Sequence, residues 1–200
     1  FTEDGKTEVK AEDTVTTAGD HTLYAHWEAN IYNVFLDANG GRGGGTITVT
    51  YNSKYTGLIK PYRTGYQFLG WFTEKDGGTQ ITADDTVKTA DNHILYAHWK
   101  AEEYEVTLDA NGGEGGKTIT VTYDGQYTGL TDATRTGYAF LGWFTEKDGG
   151  EKIETTTTVK TEGKHTLYAH WKAEEYEVTL DANGGEGGKT ITVTYDGQYT

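Results

Sequence analysis

The sequence predicts a small, mainly β fold, with room for an α+β variant, repeated along the chain. Three observations carry this reading: a 72-residue repeat, apolar–polar alternation with period two, and glycine-rich turns with a single proline. A fixed internal period decides the architecture, so it comes first. Trp27, Trp99 and Trp171 lie 72 residues apart, each within Tyr-Ala-His-Trp. Trp71 and Trp143 keep the interval inside Gly-Tyr-x-Phe-Leu-Gly-Trp-Phe-Thr-Glu-Lys-Asp-Gly-Gly, and Leu36, Leu108 and Leu180 each open Leu-Asp-Ala-Asn-Gly-Gly. The frame divides into the C-terminal part of a repeat at 1–29, full repeats at 30–101 and 102–173, and an N-terminal part at 174–200. Residues 102–128 and 174–200 are identical, which points to recent duplication. A frame that starts and stops inside a repeat reads as an excerpt of a longer array.

Seventy-two residues can close a core of their own, unlike the shorter units that must stack to bury one. The expectation is therefore a row of separate domains. Their joint, Trp99–Tyr104, holds no Gly/Ser or Pro linker and should bend only modestly.

Four segments per copy alternate with period two, as half-buried strands do. In the copy at 102–173, Tyr104, Val106 and Leu108 face one way while Glu103, Glu105 and Thr107 face the other. Ile119, Val121 and Tyr123 alternate with threonines. Tyr138 and Phe140 bracket Ala139, and Leu141, Trp143 and Phe144 follow across Gly142, where a bulge is expected. Leu167, Ala169 and Trp171 alternate with Tyr168 and His170. Comparing copies tests the faces. Gln67 becomes Ala139, Phe35 becomes Thr107 and Asn33 becomes Glu105, all on the outer side, while inner residues keep their type. No segment sustains a 3.6-residue period; a short helix has room only between Tyr127 and Arg135 or over Thr155–Thr161, against their β-branched residues and glycine.

Composition narrows the function. Hydrophobic residues make up 34% of the chain, but the 15 Tyr and 5 Trp are large enough to close a small core. With no Cys, disulfides, thiolate metal sites and cysteine nucleophiles are excluded. No apolar run approaches the roughly 18 residues of a membrane span. A net charge of −14 repels nucleic acid and anionic membranes. That charge is uneven: −5 over 1–29, +1 over 30–101, −5 over 102–173 and −5 over 174–200. Copies so alike in pattern yet six charges apart keep a fold while the surface drifts.

The pattern of strand, Asn-Gly-Gly, strand, Arg-Thr-Gly-Tyr-x-Phe-x-Gly-Trp-Phe, an acidic stretch, then Thr-Leu-Tyr-Ala-His-Trp resembles the Listeria–Bacteroides repeat family, which includes the B-repeat of internalin B. It covers both full copies and both part-copies. The resemblance implies a compact β-grasp-like domain, strung in an elongated array between an adhesive head and a wall anchor in secreted or wall-attached bacterial proteins. One departure stands out: where the family often has prolines before the Arg-Thr-Gly-Tyr turn, this chain keeps only Pro61, and the second copy reads Thr131-Asp132-Ala133-Thr134.

Sites of chemistry are weak. Gly112–Thr118 ends like a phosphate loop, but Asn111 stands where that loop needs glycine and a strand follows where it needs a helix. A hairpin turn with Asn-Gly supplying positive φ is the reading. Calcium is its rival, through Asp109, Asn111 and Glu114, although nonapeptide and EF-hand ligand spacings are absent. No cofactor is predicted. The histidines fall in pairs, His21/His26, His93/His98 and His165/His170, five apart and so on opposite faces of a strand. The second full copy has no serine for a triad, and its acids Asp109, Glu146 and Asp148 sit at turns and strand ends, so no enzyme is predicted. Tyr127, Tyr168 and His170, with Tyr96 and His98 in the other copy, are the candidate ligand-facing residues.

Two functions follow as expectations. The first is a structural spacer in an extracellular bacterial surface adhesin, its partners the neighbouring repeats. The second is a repeated low-affinity module for a host glycan or surface receptor, gaining through effective concentration. Self-association of part-repeats is a further possibility for partners, although joining 174–200 to 1–29 omits the Gly-Tyr-x-Phe-Leu-Gly-Trp strand.

Overall fold

In the computed structural model, which describes residues 1–199, every regular element is a β-strand. The first sheet holds β1 (Ile31–Asp37), β2 (Gly45–Thr50), β3 (Tyr66–Phe72), β4 (Gln80–Ile81) and β5 (His93–Ala101), in the order β2-β1-β5-β3-β4. The second repeats it with β6 (Glu103–Asp109), β7 (Lys117–Thr122), β8 (Tyr138–Phe144), β9 (Lys152–Ile153) and β10 (His165–Ala173), in the order β7-β6-β10-β8-β9. A separate hairpin joins β11 (Glu175–Leu180) to β12 (Lys189–Thr194).

Both five-stranded sheets are mixed. β6 and β7 form an antiparallel hairpin, with Val106 opposite Ile119 and Tyr104 opposite Val121. β10 then runs parallel to β6, placing Leu167 beside Leu108. On its other side β10 is antiparallel to β8, with a register shift where His170 faces Gly142 and Trp171 faces Phe140. Leu141 is left between these partners and turns outward, 45% exposed, which is the bulge expected at Gly142. The two-residue strands β4 and β9 were invisible to a period-two reading, being too short to show a period.

The strand faces follow the alternation. Val106, Leu108, Val121, Trp143, Leu167 and Ala169 are buried, while Glu103, Glu105 and Thr107 are exposed. Neither segment with room for a helix forms one. Both carry turns and isolated bridges, with Gln126 bridging Thr158 and Glu114 bridging Thr134. They nonetheless send Tyr127, Ala133 and Val159 into the core. Irregular chain covers the inner face of the sheet because the run Thr155–Val159 is β-branched and disfavours helix.

The chain divides into two compact units, Phe1–Pro61 with Gly70–His98, and Tyr62–Leu69 with Trp99–Thr200. In the first unit the core gathers Val34, Leu36, Tyr55, Trp71, Val87 and Leu95. Residues 1–30 of that unit form no strand. Their segment Thr22–Trp27 corresponds to β5, which lies between two partner strands, and Trp27 is 90% exposed. Even so, Phe1 and Tyr24 exchange backbone hydrogen bonds of 2.9 and 3.0 Å, and the Phe1 ring stacks on His26 at 4.4 Å. The second unit has its own core around Val106, Trp143, Val159 and Leu167, and ends in the β11–β12 hairpin.

Candidate functional site

The candidate residues separate into two groups. Tyr127, expected to face a ligand, is only 3% exposed. This is a correction. The segment after β7 folds back beneath the sheet, and the Tyr127 hydroxyl meets His165 Nε2 at 3.0 Å, with the two rings edge to face. His165 Nδ1 lies 3.1 Å from the Gly163 carbonyl, which can only accept, so Nδ1 donates and Nε2 takes the tyrosine proton. Burial first of all pushes the Tyr127 phenol pKa up. The first unit repeats the arrangement with Tyr55, also 3% exposed, and His93 at 3.0 Å.

The other four residues share the outer faces of β5 and β10. His98 stacks on Phe72, centroids 3.9 Å apart and planes 9° from parallel, and its Nε2 donates to the Glu74 carbonyl at 3.0 Å. His170 does the same with Phe144 and Glu146. Tyr168 lies opposite Phe144 in the strand register, so Tyr168, His170 and Phe144 form one half-buried aromatic patch. Tyr96 and His98 take the corresponding places on β5, beside Phe72 of β3. The two histidines of each of these two pairs therefore have different work. His93 and His165 satisfy a buried tyrosine, whereas His98 and His170 cover a strand-end phenylalanine.

The glycine-rich loop is a hairpin connection. Asn111 adopts φ 47° and Gly112 φ 86°, and Asp109 Oδ1 accepts the Asn111 N–H at 2.8 Å. The Asn111 amide donates to the Ala169 carbonyl at 3.0 Å, tying the loop to β10. Asn39 makes the equivalent bond to Ala97, also 3.0 Å. The Asp109 carboxylate and the Asn111 amide are thus engaged with backbone groups. Among the described residues no cluster of three or more His, Asp or Glu is arranged to hold a metal ion.

The residues overlooked in the sequence lie in Arg-Thr-Gly-Tyr. Arg63 sits 3.8 Å over the Tyr66 ring and Arg135 3.9 Å over the Tyr138 ring. The recurrence of the whole tetrapeptide, with its glycine just ahead of a strand, was the available signal.

Comparison with known proteins matches the Listeria-Bacteroides repeat domain to residues 1–26, 32–98 and 104–170. Two proteins of Evansella cellulosilytica that bear membrane-protein names are 33% and 32% identical, over 90% and 82% of this chain. Internalin H of Listeria monocytogenes is 31% identical over 70% of it. The chain spans only 27%, 19% and 25% of these relatives' own lengths.

Proposed function

The chain belongs to the Listeria-Bacteroides repeat domain family, and on that premise we propose that it is a spacer in a bacterial cell-surface adhesin, built of tandem β-grasp-like repeats. The observation that carries this reading is the pair of five-stranded sheets with the same strand order, each lined by the same buried residue types, while outer positions and charge change freely. Selection on length and fold, with no demand on one surface, gives that pattern. The family's domain and the internalin relative support a place on the bacterial surface. The chain's part in the wall-attached or secreted protein is non-enzymatic.

Small-angle scattering on arrays of increasing copy number tests the spacer. A compact domain of this size is about 30 Å across. The maximum dimension should therefore grow by about 30 Å with each added copy. Growth as the cube root of mass would defeat the reading.

A second reading, a repeated weak binding module for a host glycan or surface receptor, draws on one observation. The Phe–His–Tyr patch recurs in the same place on both sheets, at Phe72, His98 and Tyr96 and at Phe144, His170 and Tyr168. Repeated weak sites gain by effective concentration. A glycan array probed with one copy and with four separates the two readings: binding that appears only at the higher valency, and is lost on His170→Ala with His98→Ala, would favour the module.

A further inference from the structure

Within the second unit, one set of contacts occurs twice at an interval of 72 residues. At its first occurrence the turn Arg63-Thr64-Gly65-Tyr66 meets the turn Tyr123-Asp124-Gly125 that follows β7. The Gly65 carbonyl accepts the Glu102 N–H at 2.9 Å, and the Tyr66 hydroxyl donates to Asp124 Oδ2 at 2.8 Å. The Tyr66 and Tyr123 rings meet edge to face at 5.9 Å. Glu162 adds a bond from the Gly65 N–H at 2.7 Å. At the second occurrence Gly137 accepts from Glu174 at 2.9 Å, Tyr138 donates to Asp196 at 2.8 Å, and the Tyr138 and Tyr195 rings meet at 5.6 Å. In both, the carbonyl of the joint glutamate accepts the N–H of the following tyrosine, Glu102 from Tyr123 and Glu174 from Tyr195.

The glycines explain themselves at this contact. Gly65 has φ 71° and Gly137 φ 77°, and a Cβ on either would lie inside the ring of Tyr123 or Tyr195. A tyrosine from the next copy therefore uses the bare face of the turn. The turn does close on itself, since the Tyr138 N–H donates to the Arg135 carbonyl. Its glycine carbonyl and its tyrosine hydroxyl, however, serve residues of the copy that follows.

We propose that Arg-Thr-Gly-Tyr is a docking socket and that its partner is the Tyr-Asp-Gly turn of the next copy of the same repeat, held in cis. The β11–β12 hairpin makes the point. Among the described residues it pairs with no third strand, and a lone two-stranded hairpin is at best marginally stable in water. Here it is anchored at Gly137 and Tyr138 through Glu174, Tyr195 and Asp196. The corresponding turn of the first copy, Tyr51-Asn52-Ser53, keeps the tyrosine and replaces the carboxylate with an amide. Its amide oxygen accepts from the Lys88 ammonium at 2.9 Å, but it brings no carboxylate to a junction. The socket goes beyond the spacer reading and does not depend on it, because a binding array would be joined in the same way.

Hydrogen exchange on the whole chain tests the socket. Amides of Thr190–Thr194 should exchange about tenfold faster or more in Gly137→Ala, while those of Leu167–Trp171 in β10 keep their protection. The pair Tyr138→Phe and Asp196→Asn, which leaves the turn backbone intact, should give a smaller acceleration at the same amides. These two variants carry the test alone if Gly137→Ala costs β10 its protection. Unchanged exchange at Thr190–Thr194 in the variants that keep β10 folded would overturn the proposal.

Discussion

Tyr127 shows what a residue-level reading sees and what it misses. Its neighbours in the strands were legible because period two assigns each a face: Val106, Leu108 and Trp143 are inner by phase and buried in the structure. Tyr127 belongs to a stretch without a period, so nothing in its spacing marked it as core. Its environment does. The ring is buried and its hydroxyl donates to His165 Nε2 at 3.0 Å. Tyr127→Phe keeps the ring and removes only the hydroxyl with its bonds to His165 and Thr161, so it should cost about 1 kcal/mol. Urea unfolding is the measurement, and a midpoint equal to the parent's would mean that those bonds contribute nothing. The outward phase of His170 is legible in the alternation of its strand, whereas its stacking on Phe144 comes from a neighbouring strand that the alternation does not name.

At the scale of elements, the hairpins and the bulge were legible because Asn-Gly, Gly142 and the alternating runs each impose a local geometry. The two-residue strands and the covering segments were not, since their conformation is set by what they pack on. Turn-to-turn contacts are harder still, because the partners lie 58 residues apart in the Tyr66–Asp124 bond. That bond has a pH dependence of definite sign. Asp124 is held below the usual carboxylate pKa, first by its hydrogen bond from Lys160 and then by that from Tyr66. Arg63 also faces it, and Glu162 binds the neighbouring Gly65 N–H. A lowered folded pKa contributes stability that is fully present above the ordinary value of about 3.9 and is lost as pH falls through the folded value. The amide resonances of Glu102 and Tyr123 should therefore hold steady between pH 7 and pH 5, about one unit above that ordinary value, and shift below it. In Asp124→Asn the low-pH shift should vanish. A shift of equal size in that variant would overturn the assignment to Asp124.

For the whole molecule, the 72-residue period was the most legible feature, since it needs no knowledge of structure. What it does not reveal is the force that would keep successive copies apart. Two forces are candidates: the sockets at Gly65 and Gly137, and mutual repulsion in a chain of net charge −14. Salt separates them. The Debye length falls from about 30 Å at 0.01 M to about 3 Å at 1 M, which removes repulsion between exposed charges and leaves close-packed ring contacts and backbone hydrogen bonds in place. Charge is also a poor candidate on its own terms, because residues 30–101 carry +1 and would attract the acidic stretches on either side. A socketed array should therefore keep its maximum dimension by small-angle scattering across that salt range. Shortening by a copy's diameter, about 30 Å, at high salt would assign the extension to repulsion and leave the sockets a local role.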